Sequence, residues 1–239
     1  MLHVLFGVAV KDCYLYSCLG MANSLNYEER KDSPNHWKFK GHQKFYFFWK
    51  RAAGIFGALL ALILSIPLFI IAIIGIKCSS KGPILFKQTR IGKNKKPFTL
   101  YKFRSMRVDV PNVAPEDITE ETQRDMTTKF GRFLRKTSID ELPQLFNILA
   151  GQMAFIGPRP SQPEEVEGDL IAARESFTPN AYEVKPGLSG LAQIQMHRDH
   201  DIHKKAELDS YYVEHISLAL DTKIFFKTVL LLFGVNKGK

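Results

Sequence analysis

The longest apolar stretch in the chain covers residues 52–76, where no side chain is charged. As a straight helix this stretch would be ~38 Å long, which exceeds the ~30 Å hydrocarbon core of a bilayer. Near its middle lies Ser65-Ile66-Pro67, where the proline removes a backbone donor and crowds the preceding turn. We therefore predict two apolar helical arms with a break at Ser65 and Pro67, where the serine hydroxyl can bond a freed carbonyl.

Basic residues flank this stretch on both sides. Between position 33 and the stretch there is no acidic residue, and after it the first acid is Asp109. Because lysine and arginine concentrate on the cytoplasmic side of membrane segments, two basic flanks favour a hairpin that enters and leaves one leaflet. A full transmembrane span is the alternative, since proline kinks also occur in spanning helices.

An aromatic run at 45–49 precedes Lys50 and Arg51. Aromatic rings beside basic side chains are typical of the headgroup level of a membrane. This pattern predicts an interfacial belt at the start of the apolar stretch, and packing of the rings in a protein core is the alternative.

The rest of the chain has the pattern of a folded domain with short elements. Strands are indicated at 83–86 and 98–103, with a turn at 92–96 between them. Helices are indicated at 116–134, 142–149, 164–176, 204–216 and 221–233. The last of these helices has an apolar face suited to a core or to a membrane interface.

These patterns predict an α/β fold, mainly α-helical with a small sheet. The predicted parts are an N-terminal extension (1–44), a re-entrant membrane hairpin (45–77) and a compact cytosolic domain with interfacial amphipathic helices (78–239). Residues 1–20 lack the basic start of a signal peptide, so we expect no cleaved signal, and Met21 is a candidate start.

Charge narrows the class of partner. The chain has 33 lysine and arginine residues against 24 acidic residues, a formal net charge of +9. This excess favours nucleic acid, a membrane surface or a phosphorylated substrate. Nucleic acid is disfavoured because the basic stretch adjoins an apolar run rather than an exposed aromatic platform. Three cysteines make no disulfide framework, and we expect them to be reduced.

Adjacent carboxylates, Asp140 and Glu141, mark the strongest candidate for chemistry. They stand at the predicted start of an apolar helix, just after a basic run that ends at Lys136. Exposed N–H groups and the helix dipole favour anions at such a position, whether carboxylate or phosphate. The structural alternative is a capping box, in which Ser138 and Glu141 bond reciprocally to the first turn.

Several blocks surround this segment in one order. They are Gly82-Pro83-Ile84-Leu85-Phe86-Lys87-Gln88-Thr89-Arg90-Ile91-Gly92, Tyr101-Lys102-Phe103-Arg104-Ser105-Met106, Thr137-Ser138-Ile139-Asp140-Glu141-Leu142-Pro143-Gln144-Leu145, Gly157-Pro158-Arg159-Pro160, Pro186-Gly187-Leu188-Ser189-Gly190 and Glu207-Leu208-Asp209-Ser210-Tyr211-Tyr212-Val213. With a Lys-Arg pair before the apolar stretch, they resemble the bacterial sugar transferases, the small monotopic phosphoglycosyl transferases, over roughly residues 45–235.

The resemblance implies transfer of a sugar 1-phosphate from a UDP-sugar to a polyprenyl phosphate, usually undecaprenyl phosphate, with UMP released and Mg2+ required. It also implies a catalytic domain on the cytoplasmic face of the bacterial inner membrane, where assembly of surface glycans begins. By the resemblance, Asp140 is the nucleophile that forms a covalent phosphosugar intermediate, Glu141 helps to hold Mg2+, and Asp209 lies at the active site. As a carboxylate there, Asp209 is a candidate second contact to the metal or its hydration shell. The candidate phosphate- and substrate-binding set is Lys102, Arg104, Arg135, Pro158, Arg159, Pro160 and Lys185.

General chemistry agrees with these assignments. A nucleotide sugar and a lipid phosphate carry several negative charges, which Mg2+ and cationic side chains must neutralise before a carboxylate can approach phosphorus. Arg159 stands between two prolines on a stiff backbone, so its guanidinium loses little entropy on gripping phosphate. The alternatives are solvated surface charges for Arg104, Arg135 and Arg159, and a helix-surface carboxylate for Asp209.

Some positions depart from the family pattern. Ala52-Ala53-Gly54 stands where an Asp is often found, and Gln152 replaces the usual Asp. Lys185 stands where Arg is common, which keeps the charge but loses a bidentate grip on phosphate. A metal site at His197, His200 and His203 is disfavoured because this spacing drifts around a helix. The rival interpretation of the whole chain is a relative that has lost catalysis and acts as a basic membrane-surface adaptor.

Overall fold

The long apolar stretch forms one helix, α1 (Gly41–Ser79), in the computed structural model, which describes residues 37–107, 122, 126–196 and 201–232. Pro67 lies inside this helix, so the structure has a continuous helix where the sequence predicted a break. Proline withdraws only its own N–H from the hydrogen-bond ladder, and the helical turns on either side persist. The Ser65 hydroxyl donates to the Leu62 carbonyl at 3.2 Å, whereas the carbonyl that loses its helical donor at Pro67 is that of Ile63.

One narrow face of α1 contacts the rest of the protein. Ala58 packs with Leu145 and Ile148, and beyond Pro67 the buried residues Ala72 and Ile76 pack with Phe103 and Leu134. The remaining surface is largely apolar and exposed, as at Phe56, Leu60, Ile63, Leu64, Ile70 and Ile74. By length and composition, α1 is the one helix among the described residues that could cross a membrane.

The aromatic–basic belt predicted at the start of α1 is only partly exposed. Phe45, Phe48 and Trp49 face outward, whereas the neighbouring rings of the run pack against the core. Lys50 Nζ lies 2.6 Å from Asp221 Oδ2, and Arg51 donates to the Ile148 and Leu149 carbonyls at 2.5 and 2.8 Å. The two cations therefore fasten α1 to the folded domain, because partners inside the protein satisfy them.

The two strands predicted on either side of the turn at 92–96 are present and form a β-hairpin. β1 (Leu85–Ile91) and β2 (Pro97–Phe103) pair antiparallel, with Leu85 opposite Phe103 and Ile91 opposite Pro97. A 3-10 turn, Lys93–Lys95, connects the strands. Side chains alternate along a strand, so Lys102 follows the buried Phe98 and Leu100 on the inward face of β2. This register brings a lysine into the interior.

Six further helices follow the hairpin within the described residues. They are α2 (Lys129–Lys136), α3 (Gln144–Leu149), α4 (Glu164–Glu175), α5 (Leu191–Gln195), α6 (Ile202–Glu214) and α7 (Leu218–Leu232). The Thr128 side chain caps α2 by accepting a hydrogen bond from the Gly131 nitrogen at 2.9 Å. Residues 116–121 and 123–125 of the helix predicted at 116–134, together with residues 1–36, His197 and His200, lie outside the described residues.

Two glycine-containing loops meet next to a short parallel strand pair. β3 (Ala154–Ile156) pairs with β4 (Gly187–Ser189). A Cβ built on Gly187 would overlap the backbone nitrogen of Gly157, so only glycine permits this approach. The turn that carries Arg159 is therefore held against β4.

The last helix, α7, is apolar on two sides. Ile224 is fully buried, and the Thr228 and Ser189 hydroxyls lie 2.6 Å apart. Phe225 and Phe226 are exposed instead. The predicted apolar face thus divides between the protein core and the surface.

Candidate active site

The Asp140-Glu141 pair lies in a tight turn rather than in a capping box. Residues Ile139–Glu141 form a 3-10 helix, and Ser138 before it has a positive φ of 55°. Within this described turn the Ser138 side chain makes no capping hydrogen bond. Because Ser138 adopts the left-handed conformation, the chain turns sharply and α3 begins only at Gln144. The two carboxylates are thus free of the reciprocal bonds of a helix cap.

Glu141 is held by a cation from the hairpin. Lys102 Nζ donates to Glu141 Oε1 at 2.9 Å, and both side chains are partly buried. Burial raises the pKa of Glu141, but Lys102 and then Arg159 more than offset it and hold the pKa below its usual value. Glu141 is therefore an anion at neutral pH, with Lys102 bonded to one of its oxygens.

Asp140 has the opposite electrostatic setting. Its side chain is 8 % exposed. Burial and the adjacent Glu141 raise its pKa from 3.8 to about 6, against the opposing effect of Lys102 and Arg135. Neighbouring carboxylates with pKa values driven apart are typical of sites where the two groups have different roles.

Arg135 approaches this pair from α2. Its Nε donates to the Ser105 hydroxyl at 3.1 Å. A Cβ on Gly131 would overlap the Ser105 carbonyl, so the backbone of α2 packs directly against the backbone at Ser105. This contact fixes the position of the Arg135 backbone. The fold places the predicted site residues Asp140, Glu141, Lys102, Arg135 and Arg159 close enough for their charges to interact.

An open cleft adjoins this group. Its walls include Lys102, Glu141, Arg159, Pro160, Gln144 and Gln193. Cationic groups beside a carboxylate can bind phosphate oxygens, while the amides can bond neutral parts of a ligand. The predicted site residues Arg159 and Pro160 therefore face an accessible volume, and Pro158 is buried behind them.

Two predicted phosphate-binding residues contact other groups. Arg104 is buried and donates to the Lys81 and Ser80 carbonyls at 3.0 and 2.8 Å, so it holds the chain at the end of α1. Lys185 lies beside Gly151 together with Arg51; burial and then Arg51 lower its pKa. The sequence identified Arg104 and Lys185 as cations, but the fold determines which groups they contact.

Asp209 forms a buried ion pair. Arg174 Nη2 lies 2.5 Å from Asp209 Oδ2, and each side chain is 1 % exposed. Arg174 also donates to the Ser161 hydroxyl, which lies just after the Arg159 turn. The sequence predicted either a metal contact or a surface carboxylate at Asp209. The structure instead shows a buried carboxylate that is paired with Arg174. This pairing argues against a metal role because the carboxylate is already neutralised.

Several residues at the site were not singled out by sequence reasoning. Arg90 is buried, lines the cleft and donates to the Pro160 carbonyl at 3.2 Å. Arg174 braces the same turn from the other side through Ser161. Arg90 lies in the sequence block 82–92 that supports the family resemblance, and this could have indicated its role. Arg174 lies on a helix whose sequence is typical of a polar surface element.

The carboxylates at the site suit a magnesium ion that is bound jointly by protein and substrate, rather than one bound by protein ligands alone. Within the described ranges no group of three or more His, Cys, Asp or Glu side chains could hold a metal. Mg2+ is usually bound by one or two carboxylates plus substrate phosphates and water. Glu141 satisfies that requirement, whereas Asp209 is fully buried and paired with Arg174.

The sequence is similar to known proteins over most of its length. Residues 45–234 match the model of a protein family described as "Bacterial sugar transferase". The chain is 38% identical to the exopolysaccharide production protein PSS of Rhizobium leguminosarum bv. phaseoli over 198 residues, 79% of this chain and 97% of that protein.

Longer relatives match through part of their length. Identity is 39% to a UDP-glucose:undecaprenyl-phosphate glucose-1-phosphate transferase of Klebsiella pneumoniae, covering 80% of this chain and 41% of the relative. Identity is also 39% to a UDP-N-acetylgalactosamine-undecaprenyl-phosphate N-acetylgalactosaminephosphotransferase of Aeromonas hydrophila, covering 77% of this chain and 43% of the relative. The chain therefore spans about two fifths of these two relatives.

Proposed function

Because the chain belongs to the bacterial sugar transferase family, we propose that it is a phosphoglycosyl transferase that moves a sugar 1-phosphate from a UDP-sugar to a polyprenyl phosphate. Undecaprenyl phosphate is the proposed acceptor, UMP is the second product, and the lipid-linked sugar begins a surface glycan such as an exopolysaccharide. The observation that carries the proposal is the Asp140-Glu141 pair, which is free of a helix cap and whose Glu141 lines an open cleft together with Lys102 and Arg159.

In the first step an oxygen of Asp140 attacks the β-phosphorus of the UDP-sugar. A bond forms between this oxygen and phosphorus, the bond from phosphorus to the bridging oxygen breaks, and UMP leaves with that oxygen. A buried carboxylate with a raised pKa is a better nucleophile than a solvated one, and it is still ionised above pH 6. In the second step a phosphate oxygen of the lipid attacks the same phosphorus and releases the Asp140 carboxylate.

Cationic side chains make this approach of two anions feasible. Arg159 and Lys102 face the cleft, where they would bind oxygens of the diphosphate. Arg90 and Arg174 keep the Arg159 turn in place through Pro160 and Ser161. Mg2+, held by Glu141, would supply additional positive charge to the phosphate oxygens. The requirement for Mg2+ is part of the proposal.

UMP release tests the proposal directly. The purified chain in detergent micelles or nanodiscs, with Mg2+ and undecaprenyl phosphate, is offered UDP-glucose, UDP-galactose, UDP-N-acetylglucosamine and UDP-N-acetylgalactosamine in turn. We expect at least one donor to give UMP and lipid-linked sugar in equal amounts. A chain that binds membranes but releases no UMP from any donor would instead be a surface adaptor.

The pH dependence of the first step follows from Asp140. Because only the ionised carboxylate attacks and its pKa is about 6, the rate should fall about tenfold per pH unit below pH 6 and level off above it. The acceptor phosphate itself titrates near pH 6, so the burst of UMP should be measured without lipid phosphate. A burst rate that does not change between pH 5 and pH 7 would contradict the assignment of Asp140 as nucleophile.

We further propose that α1 enters and leaves the cytoplasmic leaflet of the bacterial inner membrane. Two observations support this geometry. Ala58 before Pro67 and Ala72 after it both pack against the same folded domain. A single folded domain would occupy one side of a bilayer. Both flanks of the helix are also basic, as is typical of cytoplasmic segments. The exposed Phe225 and Phe226 of α7 would add an interfacial contact.

Labelling of the two ends of α1 tests this topology. Cys78 is an exposed free thiol near one end, and Gly41, which has open space around it, can be changed to cysteine at the other. Cys13 and Cys18 are first replaced by serine. We expect neither Cys78 nor Gly41→Cys to react with a membrane-impermeant maleimide in intact spheroplasts, and both to react after lysis. Reaction at only one of the two positions in intact spheroplasts would mean a full span.

A further inference from the structure

The amide of Gln193 has a buried oxygen that nothing in the described protein satisfies. Gln193 lies on α5, and its side chain lines the cleft that also contains Glu141, Lys102 and Arg159. Its Oε1 is buried without a hydrogen-bond partner among residues 37–107, 122, 126–196 and 201–232. Buried polar atoms are nearly always bonded in folded proteins, so such an atom at a cleft indicates a group that arrives with a ligand.

The orientation of this amide is set by the backbone around it. Gln193 Nε2 donates to the Leu188 carbonyl at 3.4 Å, and a carbonyl oxygen only accepts, so the amide nitrogen must face Leu188. Oε1 then lies next to Gly190, where an added Cβ would be 3.0 Å from it. Gly190 is itself packed against the Gly157 carbonyl. The free atom is therefore an acceptor in a fixed position.

The chemistry of that acceptor excludes the phosphates. An amide oxygen cannot bond an ionised phosphate oxygen, because both are acceptors. Lys102 and Arg159 in the same cleft suit the phosphates, which leaves Gln193 for a neutral part of the same ligand. That part must present an N–H or O–H group.

We propose that Gln193 accepts a hydrogen bond from a neutral N–H or O–H group of the bound nucleotide sugar and so helps to select the donor substrate. The inference rests on the proposed function and adds to it a residue that contacts substrate. The donor group belongs either to the nucleoside, as uracil N–H or ribose O–H, or to the transferred sugar, as a hydroxyl or acetamido N–H. A site that contains a hydrogen-bond acceptor without a partner discriminates against ligands that lack the matching donor.

Steady-state kinetics of Gln193→Met test the assignment, since methionine keeps the length of the side chain and removes the amide, with both its acceptor and its long hydrogen bond to Leu188. We expect KM for the UDP-sugar to rise about tenfold, as for the loss of one neutral hydrogen bond. KM for undecaprenyl phosphate and the melting temperature should stay at wild-type values. Gln195→Met is the matched control, because Gln195 lies on the same helix and is exposed. Gln193→Asn, which withdraws the same oxygen by one methylene, should raise KM as well.

Inhibition by UMP identifies which part of the ligand is bound. A parallel rise in the inhibition constant of UMP places the donor group on the nucleoside, and an unchanged constant places it on the sugar. A UDP-sugar KM within twofold of wild type in both Gln193 variants would overturn the inference, as would an equal rise in Gln195→Met. Wild-type protein that releases no UMP would instead overturn the proposed function, so the two failures are distinguishable.

Discussion

An Asp140→Asn variant is expected to lose turnover and, at neutral pH, to be more stable than the wild-type protein. Turnover is lost because an amide oxygen cannot form the covalent bond to phosphorus. Stability rises because the folded protein disfavours the ionised carboxylate. The pKa of Asp140 is raised from 3.8 to about 6. At 1.36 kcal/mol per pH unit this corresponds to a penalty of about 3 kcal/mol at most for the charged form.

The sign of the pH dependence follows from the same shift. Above pH 6 Asp140 is ionised in both folded and unfolded chains, so the full penalty applies. As pH falls from 6 toward 3.8 the folded protein binds the proton first, and the penalty disappears. Neutral asparagine avoids it at every pH. The expected gain at pH 7.5 is about 1–3 kcal/mol, and each kcal/mol raises the melting temperature by ~2–4 °C in a chain of this size.

Thermal melting in detergent at pH 7.5 and pH 5, with UMP release measured on the same preparations, checks both parts. The difference in melting temperature between Asp140→Asn and wild type should shrink at pH 5. Asp169→Asn is the control, because Asp169 is exposed on α4 and should change neither quantity. Retained turnover would remove Asp140 as nucleophile. Lost turnover with a lower melting temperature would mean that the carboxylate is not electrostatically strained.

The parts of the site that could be predicted are those in which residue type and local order carry the information. Asp140 and Glu141 are adjacent in sequence, and the order of blocks around them indicated Lys102 and Arg159 as companions. The hairpin that delivers Lys102 was readable from two short apolar runs and a turn. Alternation along β2 then determines that this lysine points inward.

Other parts depend on partners that are far away in sequence. Arg104 was expected to bind phosphate, yet it bonds to carbonyls of Ser80 and Lys81 at the end of α1. Sequence identifies a guanidinium but not which acceptor the fold places in front of it. Gln193 gave no signal at all, since an unmet acceptor is recognisable only when its surroundings are known.

The same reasoning explains the outcome at α1. The proline at position 67 predicted a break, but a proline deprives a helix of a single donor, and packing of one face against the domain favours a continuous helix. Topology and secondary structure are therefore separate questions here. A continuous helix can lie within one leaflet, provided that both of its ends remain with the folded domain.

Asp209→Asn is expected to destabilise the protein by about 3–5 kcal/mol, because it leaves the charge of Arg174 buried without a counter-ion. Each partner is 1 % exposed, so water cannot replace the lost carboxylate. At ~2–4 °C per kcal/mol, the melting temperature should fall by at least about 6 °C. The control is Glu207→Gln, an exposed carboxylate on the same helix, which should leave the melting temperature unchanged.

The alternative that Asp209 holds Mg2+ makes a different prediction. A lost metal ligand would raise the Mg2+ concentration needed for half-maximal turnover while leaving the melting temperature in EDTA at the wild-type value. For an ion pair, replacing both partners by apolar residues of similar volume, Asp209→Leu with Arg174→Met, should recover much of the stability that either single change loses. The double variant should still release UMP more slowly than wild type, because Arg174 no longer bonds Ser161 behind the Arg159 turn. Recovery of stability without recovery of rate would separate the two contributions of the pair: a neutralised charge in the core, and a fixed position for the arginine that binds phosphate.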